Sequence, residues 1–324
     1  MNRIVNWGII APGKIASKFA SDLKLVNGAR LYAVASRDVN RAKKFASDYN
    51  AKKAYGNYEQ LVKDPEVDIV YIASPHVFHY EQTLLCLNNG KHVLCEKPMG
   101  MNAQQVEELA QVAKEKNLFL MEALWTQFLP SFKKLKEIVT SSIIGDIRYI
   151  QADFGFKATY DIMARTFNKK LGGGSLLDIG IYPVFFALEL AGKPEEILAS
   201  TIIGQDGVDE SCSMVFSYPS RGLMANLASS FLVDTPTEAI VCGTNGYAKL
   251  NTRWHTPTNL TLMINNTEEL IRFDQSVYGY KYEIEEVVGC LNRGECESEL
   301  FPLSKSLLLH QTIDAIREKI GLIY

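Results

Sequence analysis

The stretch from Trp7 to Ala16, WGIIAPGKIA, decides how the first half of the chain is read. It closes an apolar run, turns on small residues and opens a helical pattern. A dinucleotide-binding fold needs a tight turn at that place, with backbone close enough to touch pyrophosphate. Laid on the pattern G-x-G-x-x-G/A, the three positions are Ala11, Gly13 and Ala16. Ala11 is the departure: alanine tolerates the turn only with a negative φ, and its methyl group crowds the phosphate. The residues expected to face a cofactor here are Gly8, Ala11, Pro12, Gly13, Lys14 and Ile15. Taken alone, Gly8 and Gly13 also fit a strand-to-helix turn that binds nothing.

Outward from this turn, short apolar runs alternate with helical patterns over roughly the first 120 residues, the mark of parallel strands joined by crossover helices. The expected strands are RIVNWGII, RLYAVAS, VDIVYIAS, KHVLCE and LFLMEA. After Ala123 the pattern changes. A helix over Leu129 to Thr140 precedes a strand, IRYIQADFGF, and then GGGSLLDIGIYPVFFALELAG, a glycine loop opening a helix. Strand-like runs follow near Ile197 to Ile203, Ser211 to Tyr218, Gly222 to Phe231, Glu238 to Gly243 and Leu260 to Ile264, spaced as an antiparallel meander. Helices over Tyr280 to Asn292 and Ser304 to Ile320 close the chain. The fold class is therefore α/β: residues 1–123 form a doubly wound nucleotide-binding domain, and residues 124–324 an α+β domain on an open, mainly antiparallel sheet.

Composition narrows the partners. The 324 residues are 47% apolar and 22% charged with a net charge of −3, so no basic surface for nucleic acid is expected. No leader-like segment opens the chain and no apolar stretch of about 18 residues is expected to span a membrane. Six cysteines are scattered without a C-x-x-C pair, which suits a reducing compartment, and the expected location is the cytoplasm. The histidines lack ligand spacing such as H-E-x-x-H, so no metal is expected.

The second strand ends in ASRD, where such folds place an acidic residue on the adenosine ribose for NAD or an arginine near a 2′-phosphate for NADP. In the preferred register Ser36 takes the acidic position and Arg37 follows, with Arg41 a further cation. NADP is favoured and NAD remains possible. A slip of two makes Asp38 the ribose ligand and reverses the preference; Asp38 and Arg41 also read as a solvated helix start.

The fifth strand ends on charge: HVLCEKPMG, His92 to Gly100, sets Glu96 and Lys97 against a buried run, where charges are costly unless they serve a ligand or a partner. The carboxyl edge of a parallel sheet is where ligands bind, and the Lys97–Pro98 bond is expected to be cis. The stretch SPHVFHYEQTLLCLNNGKHVLCEKP, with its E-K-P motif at Glu96, Lys97 and Pro98, resembles the glucose-fructose oxidoreductase and inositol dehydrogenase (Gfo/Idh/MocA) family. FLMEALWTQFLP, GGGSLLDIGIYP, GVDES and CGTNGYAKLN are similar to the branch holding dimeric dihydrodiol dehydrogenases and NADP-dependent aldose dehydrogenases. The resemblance implies a Rossmann domain and a substrate domain whose open sheet joins two subunits into a homodimer. It also implies that Lys97 is the family's lysine and that Ala73, Ser74, Pro75, His76 and His79 face the cofactor with Glu96, Lys97 and Pro98.

Asp178 and Tyr182 lie four apart in SLLDIGIYPVFF and so share one helix face. Asp178 follows three glycines, where the helix dipole favours its ionised form. Many family members carry histidine at the position of Tyr182, which leaves the acid/base role open between tyrosine and lysine. The expected catalytic group is Lys97, Tyr182 and Asp178. Lysine is a poor base at its reference pKa of ~10.4, but burial and a cationic ring nearby both act to lower such a value. Trp125, Phe154 and Arg165, with Asp178 and Tyr182, are candidates for the substrate wall, though Trp125 reads equally as packing. For His79, bonding to backbone competes evenly with a ligand contact. Val184, Phe185 and Leu188 read as core, and His255 and His310 as incidental.

The resulting expectation is an NADP-dependent dehydrogenase of a secondary alcohol or hemiacetal carbon in a sugar or vicinal diol. The alternatives are an inositol dehydrogenase or a ketone reductase of the same family, or a nucleotide-binding sensor without turnover.

Overall fold

The computed structural model describes residues 3–324. The strands in chain order are β1 (Val5–Ile10), β2 (Ala29–Ala35), β3 (Lys53–Tyr55), β4 (Ile69–Ile72), β5 (His92–Glu96), β6 (Leu120–Ala123), β7 (Ile147–Gly155), β8 (Glu196–Ile203), β9 (Asp209–Tyr218), β10 (Leu223–Ser230), β11 (Ala239–Gly243), β12 (Gly246–Leu250), β13 (Leu260–Ile264) and β14 (Thr267–Ile271). The helices are α1 (Lys14–Leu23), α2 (Val39–Tyr49), α3 (Tyr58–Val62), α4 (His79–Asn88), α5 (Ala103–Glu115), α6 (Pro130–Thr140), α7 (Ile181–Ala191), α8 (Tyr280–Arg293) and α9 (Leu303–Ile320). Two compact units result. One takes the chain up to Phe128 together with Ser276–Leu307, the other Leu129–Gln275 with Leu308–Tyr324. Each unit is thus built from two stretches, which departs from the single crossing expected at 123/124.

The first unit carries a six-stranded sheet in the order β3-β2-β1-β4-β5-β6, every pair parallel. Strands β1, β4 and β6 are buried along their whole length, as a sheet covered on both faces requires. The five expected strands are present. β3, three residues long and half-buried, lacks the apolar run that reveals a strand. The strand order reverses between β1 and β4, so the crevice that such sheets use for ligands opens beyond Ile10 and Ile72.

The return of 276–307 to this unit has a specific cause. Asp22, buried in α1, accepts the backbone N–H groups of Tyr278, Gly279 and Lys281, which are left without partners at the start of α8. The Tyr280 ring then packs on Trp125 at 4.4 Å and on Phe19 at 5.9 Å.

The second unit carries an eight-stranded sheet in the order β14-β13-β12-β11-β7-β10-β9-β8. All neighbours are antiparallel except β7 and β10, so the sheet is not a pure meander. Over most of β9 and β10 buried residues alternate with more open ones, the pattern of a one-sided sheet, broken at Glu210/Ser211 and Ser229/Ser230. The stretch Lys169–Ala191 is long and apolar enough to span a membrane by composition, contrary to expectation, but 89% of its apolar window is buried within the protein. It holds α7, whose Val184 and Phe185 are core as expected, while Leu188 is only half-buried.

Candidate active site

The nucleotide end is built on the turn after β1. Ala11 has φ +62°, so the expectation of a negative φ is overturned: the chain places alanine in the left-handed region. Its N–H donates to Ala35 O at 3.1 Å, and Ala73 N–H donates to Ile10 O at 3.2 Å, which ties the ends of β1, β2 and β4 together. Gly13 caps α1, and a Cβ there would meet only Ala11 O at 3.8 Å and Arg41 Nη2 at 4.0 Å. The backbone over the helix N-terminus is therefore open, as a bound phosphate requires. Pro12 is buried, and Lys14 and Ile15 are exposed beside the turn. Gly8 is corrected: it lies inside β1, where a Cβ would come within 3.0 Å of Leu61 and 3.1 Å of Val67, so it is a packing glycine.

At the end of β2, Asp38 caps α2 by accepting the N–H groups of Asn40 at 2.9 Å and Arg41 at 3.5 Å. Its Oδ1 thus serves the helix start, the bland alternative noted above. Ser36 is buried and accepts the Asp38 N–H at 3.2 Å. Arg41 Nε donates to Pro12 O at 3.1 Å, which lays its guanidinium along the turn. Arg37 is exposed. Burial raises the pKa of Tyr58 while Arg37 and Arg41 both lower it, so the two cations share one neighbourhood.

The ends of β4 and β5 carry the second group. Ala73 and Pro75 are half-buried beside the switch point, and His76 is buried. The Ser74 hydroxyl donates to Gln82 at 2.8 Å. His79 is corrected: it is fully buried, with Nδ1 2.7 Å from Pro98 O and Nε2 2.7 Å from Ser74 O, so both ring nitrogens serve the backbone rather than a ligand. The Lys97–Pro98 bond is cis, as expected. Glu96 accepts the Tyr71 hydroxyl and, at 3.3 Å, the Lys97 N–H, which pairs the charge that ends the strand. Lys97 is half-buried. Nearby, Glu283 is fully buried and its carboxyl is held well above the usual range, first by burial and then by the charges of Glu96 and Asp22. Trp125 is buried, with its ring 4.4 Å from that of Tyr280, as the packing alternative expects.

The second unit carries the third group. Asp178 sits in a π-helical turn, Leu176–Gly180, that opens into α7. Wide turns of this kind recur at functional sites. The turn is held from below by Asp209, which accepts the Ser175 hydroxyl at 2.7 Å and the Leu176 N–H at 2.6 Å. Burial raises the Asp209 carboxyl to about 6 against the pull of those bonds. Gly174 has φ +120°, and a Cβ there would run into the Asp209 carboxylate, so only glycine fits. Arg165 forks onto Asp178, Nη1 to Oδ1 at 2.8 Å and Nη2 to Oδ2 at 2.9 Å. Its role as a plain wall residue is thereby refined to partner of Asp178.

Tyr182 lies among rings: Phe154 at 5.7 Å, His255 at 5.3 Å and Trp254 at 6.4 Å. His255, read as incidental, is buried and stacks on Phe154 at 3.9 Å with the planes 21° apart. It stands in the loop between β12 and β13, and no sequence spacing ties it to Tyr182; only the adjoining Trp254, whose indole donates to Asp153 O at 2.8 Å, hints at burial there.

A family profile described as "Oxidoreductase family, NAD-binding Rossmann fold" matches residues 5–124, and the "GFO/IDH/MocA C-terminal domain" matches residues 132–249. Proteins named trans-1,2-dihydrobenzene-1,2-diol dehydrogenase are 39% identical in Mus musculus (99% of this chain, 98% of that one) and 36% in Xenopus tropicalis (98% of each). A 3-ketoreductase from Actinomadura kijaniata, solved with NADP and TDP-benzene, superposes with a TM-score of 0.88 at 25% identity, covering 98% of each chain. An aldose-aldose oxidoreductase from Caulobacter crescentus shares the fold, with a TM-score of 0.90 at 23% identity and the same coverage. The glycine turn at the switch point, the E-K-P turn after β5 and these matches along the whole chain make it a member of the Gfo/Idh/MocA family of oxidoreductases.

Proposed function

We propose that this protein is an NADP-dependent dehydrogenase that oxidises a secondary alcohol or hemiacetal carbon of a vicinal diol or sugar. One observation carries the reading: a half-buried primary amine, Lys97, stands at the carboxyl end of β5, its turn fixed by Glu96 and Pro98, in a chain similar from end to end to diol dehydrogenases.

The nucleotide end fits a dinucleotide phosphate. The open backbone at Gly13 and the N-terminus of α1 suit the pyrophosphate, and Arg37 and Arg41 suit a 2′-phosphate. With Asp38 Oδ1 engaged as a helix cap and Arg37 and Arg41 in one neighbourhood beside the turn, NADP is favoured over NAD. When bound, the nicotinamide supplies the hydride acceptor. Lys97 takes the proton of the substrate hydroxyl as its carbon gives up hydride. Tyr182 supplies a phenol that donates to or accepts from a substrate hydroxyl, its ring fixed by Phe154 and His255. Asp178, with Arg165 forked onto it, orients a neighbouring hydroxyl. The aromatic wall favours a substrate with an apolar face beside its hydroxyls.

The NADP-bound 3-ketoreductase supports a second reading, the same chemistry run as a ketone reduction. An absorbance screen of diols, pentoses, hexoses and inositols with NADP and NAD in parallel, and of ketones with the reduced cofactors, tests both. Cofactor binding without turnover on any of them would favour a sensor instead.

The same reading places the protein in the cytoplasm as a homodimer. All six cysteines are unpaired, which suits a reducing compartment. On the open face of the second sheet Leu198 and Met224 are 66% and 49% exposed, a surface better suited to a second subunit than to water. Light scattering that returns a monomer at micromolar concentration would overturn the dimer.

A further inference from the structure

His79 opens α4 and is fully buried, and no step assigned above uses it. Its two ring nitrogens each lie 2.7 Å from a carbonyl oxygen, Nδ1 from Pro98 and Nε2 from Ser74. A carbonyl oxygen only accepts, so a bond at each end requires a proton on each nitrogen. A neutral ring carries one proton and would turn a lone pair toward the other oxygen. The two-ended contact therefore fits imidazolium.

Three titratable groups bear on that charge. Glu122 is fully buried, accepts the Met99 N–H at 2.8 Å and attracts the proton. Lys97 repels it, and the His76 ring stands 5.9 Å away. Burial, the largest influence, and Lys97 pull the His79 pKa down, and the two carbonyls and Glu122 pull it up. The net direction is down, so the case for the charged ring stands on the two-ended geometry. The paired 2.7 Å contacts decide for the charged ring.

The two carbonyls belong to the loops that frame the lysine. Ser74 follows β4 at the switch point, and Pro98 follows Lys97 directly. We propose that His79 is a positioning residue, a doubly protonated clasp that ties the Ser74 loop to the Lys97–Pro98 turn and so sets where the Lys97 amine meets substrate. This rests on the catalytic role given to Lys97 above. Releasing the clasp lets the amine drift, and a displacement of about 1 Å in a reacting group costs on the order of 100-fold in rate.

Two measurements on the full chain test the clasp. In 15N-histidine NMR at pH 7, the His79 ring is expected to show two protonated nitrogens. In a double-mutant cycle, His79→Leu is expected to lower kcat by about 10- to 100-fold. NADPH affinity by fluorescence stays unchanged, and the loss vanishes in the Lys97→Met background. A ring with a single protonated nitrogen, or an equal loss in both backgrounds, overturns the proposal. Lys97→Met at wild-type turnover overturns the catalytic reading instead, and the clasp is then decided by the ring protons alone. Should His79→Leu fail to fold, His79→Gln, whose amide reaches one carbonyl, replaces it.

Discussion

Arg165 and Asp178 meet through two parallel bonds of 2.8 and 2.9 Å, the carboxylate side chain only 8% exposed and the guanidinium 40%. The asymmetry shows which partner is scaffold: Asp178 is fixed within the π-helical turn, and Arg165 is the cation it presents. Arg165→Met leaves a largely buried carboxylate without its fork. The expected loss is about 1–3 kcal/mol of stability, for removal of hydrogen bonds to a charged group. KM for substrate should rise more than kcat falls. Arg165→Lys should recover little, because a lysine cannot bond both oxygens in one plane. Urea unfolding with steady-state kinetics checks all three; wild-type values for Arg165→Met would show the pair to be ornamental.

Asp209 predicts a pH dependence. Its folded pKa, about 6, lies above the ordinary value for an aspartate. The folded state therefore holds a proton that the unfolded chain has lost. The stabilisation is complete below about pH 4 and disappears as pH rises through about 6. The loss is of the order of 2–3 kcal/mol. Asp209→Asn keeps an acceptor for Ser175 and Leu176 but cannot titrate. Its stability relative to wild type should improve between pH 4 and 6, read as the difference between two urea-midpoint curves. A flat difference would remove Asp209 as the source.

Ala11 supplies a local test. A left-handed alanine costs ~1–2 kcal/mol and glycine does not, against a glycine entropy cost of ~0.5–1 kcal/mol. Ala11→Gly should therefore leave the protein slightly more stable, by up to about 1 kcal/mol. A thermal midpoint that falls would mean the methyl group packs productively in the turn.

Much of this architecture was legible because burial writes itself into sequence. β1, β4 and β6 are covered on both faces and read as unbroken apolar runs, and β9 and β10 alternate. The strands that escaped lack such a pattern. β14 is exposed along nearly its whole length as the edge of the sheet, and its pairing with β13 comes from a turn in which Asn265 and Asn266 have φ +51° and +60°. Lys97, Asp178 and Tyr182 are singled out by motif and spacing alone, and their roles stand as proposals. The left-handed Ala11, the Arg165 fork, the ring of His255 against Phe154 and the Asp22 cap on α8 depend on contacts between residues far apart in the chain. Local pattern carries no record of those. His79 shows the same limit from the other side, since a histidine beside a ligand edge and one bonded to two carbonyls look alike in sequence.

The proposed reaction turns on the Lys97 amine handling the substrate proton. Its most direct test is single-turnover kinetics of Lys97→Met with NADP and the best diol or sugar from the screen, alongside NADPH affinity by fluorescence. The predicted result is a fall of about 10²- to 10⁴-fold in the hydride step with cofactor affinity retained. Hydride transfer at the wild-type rate would contradict it.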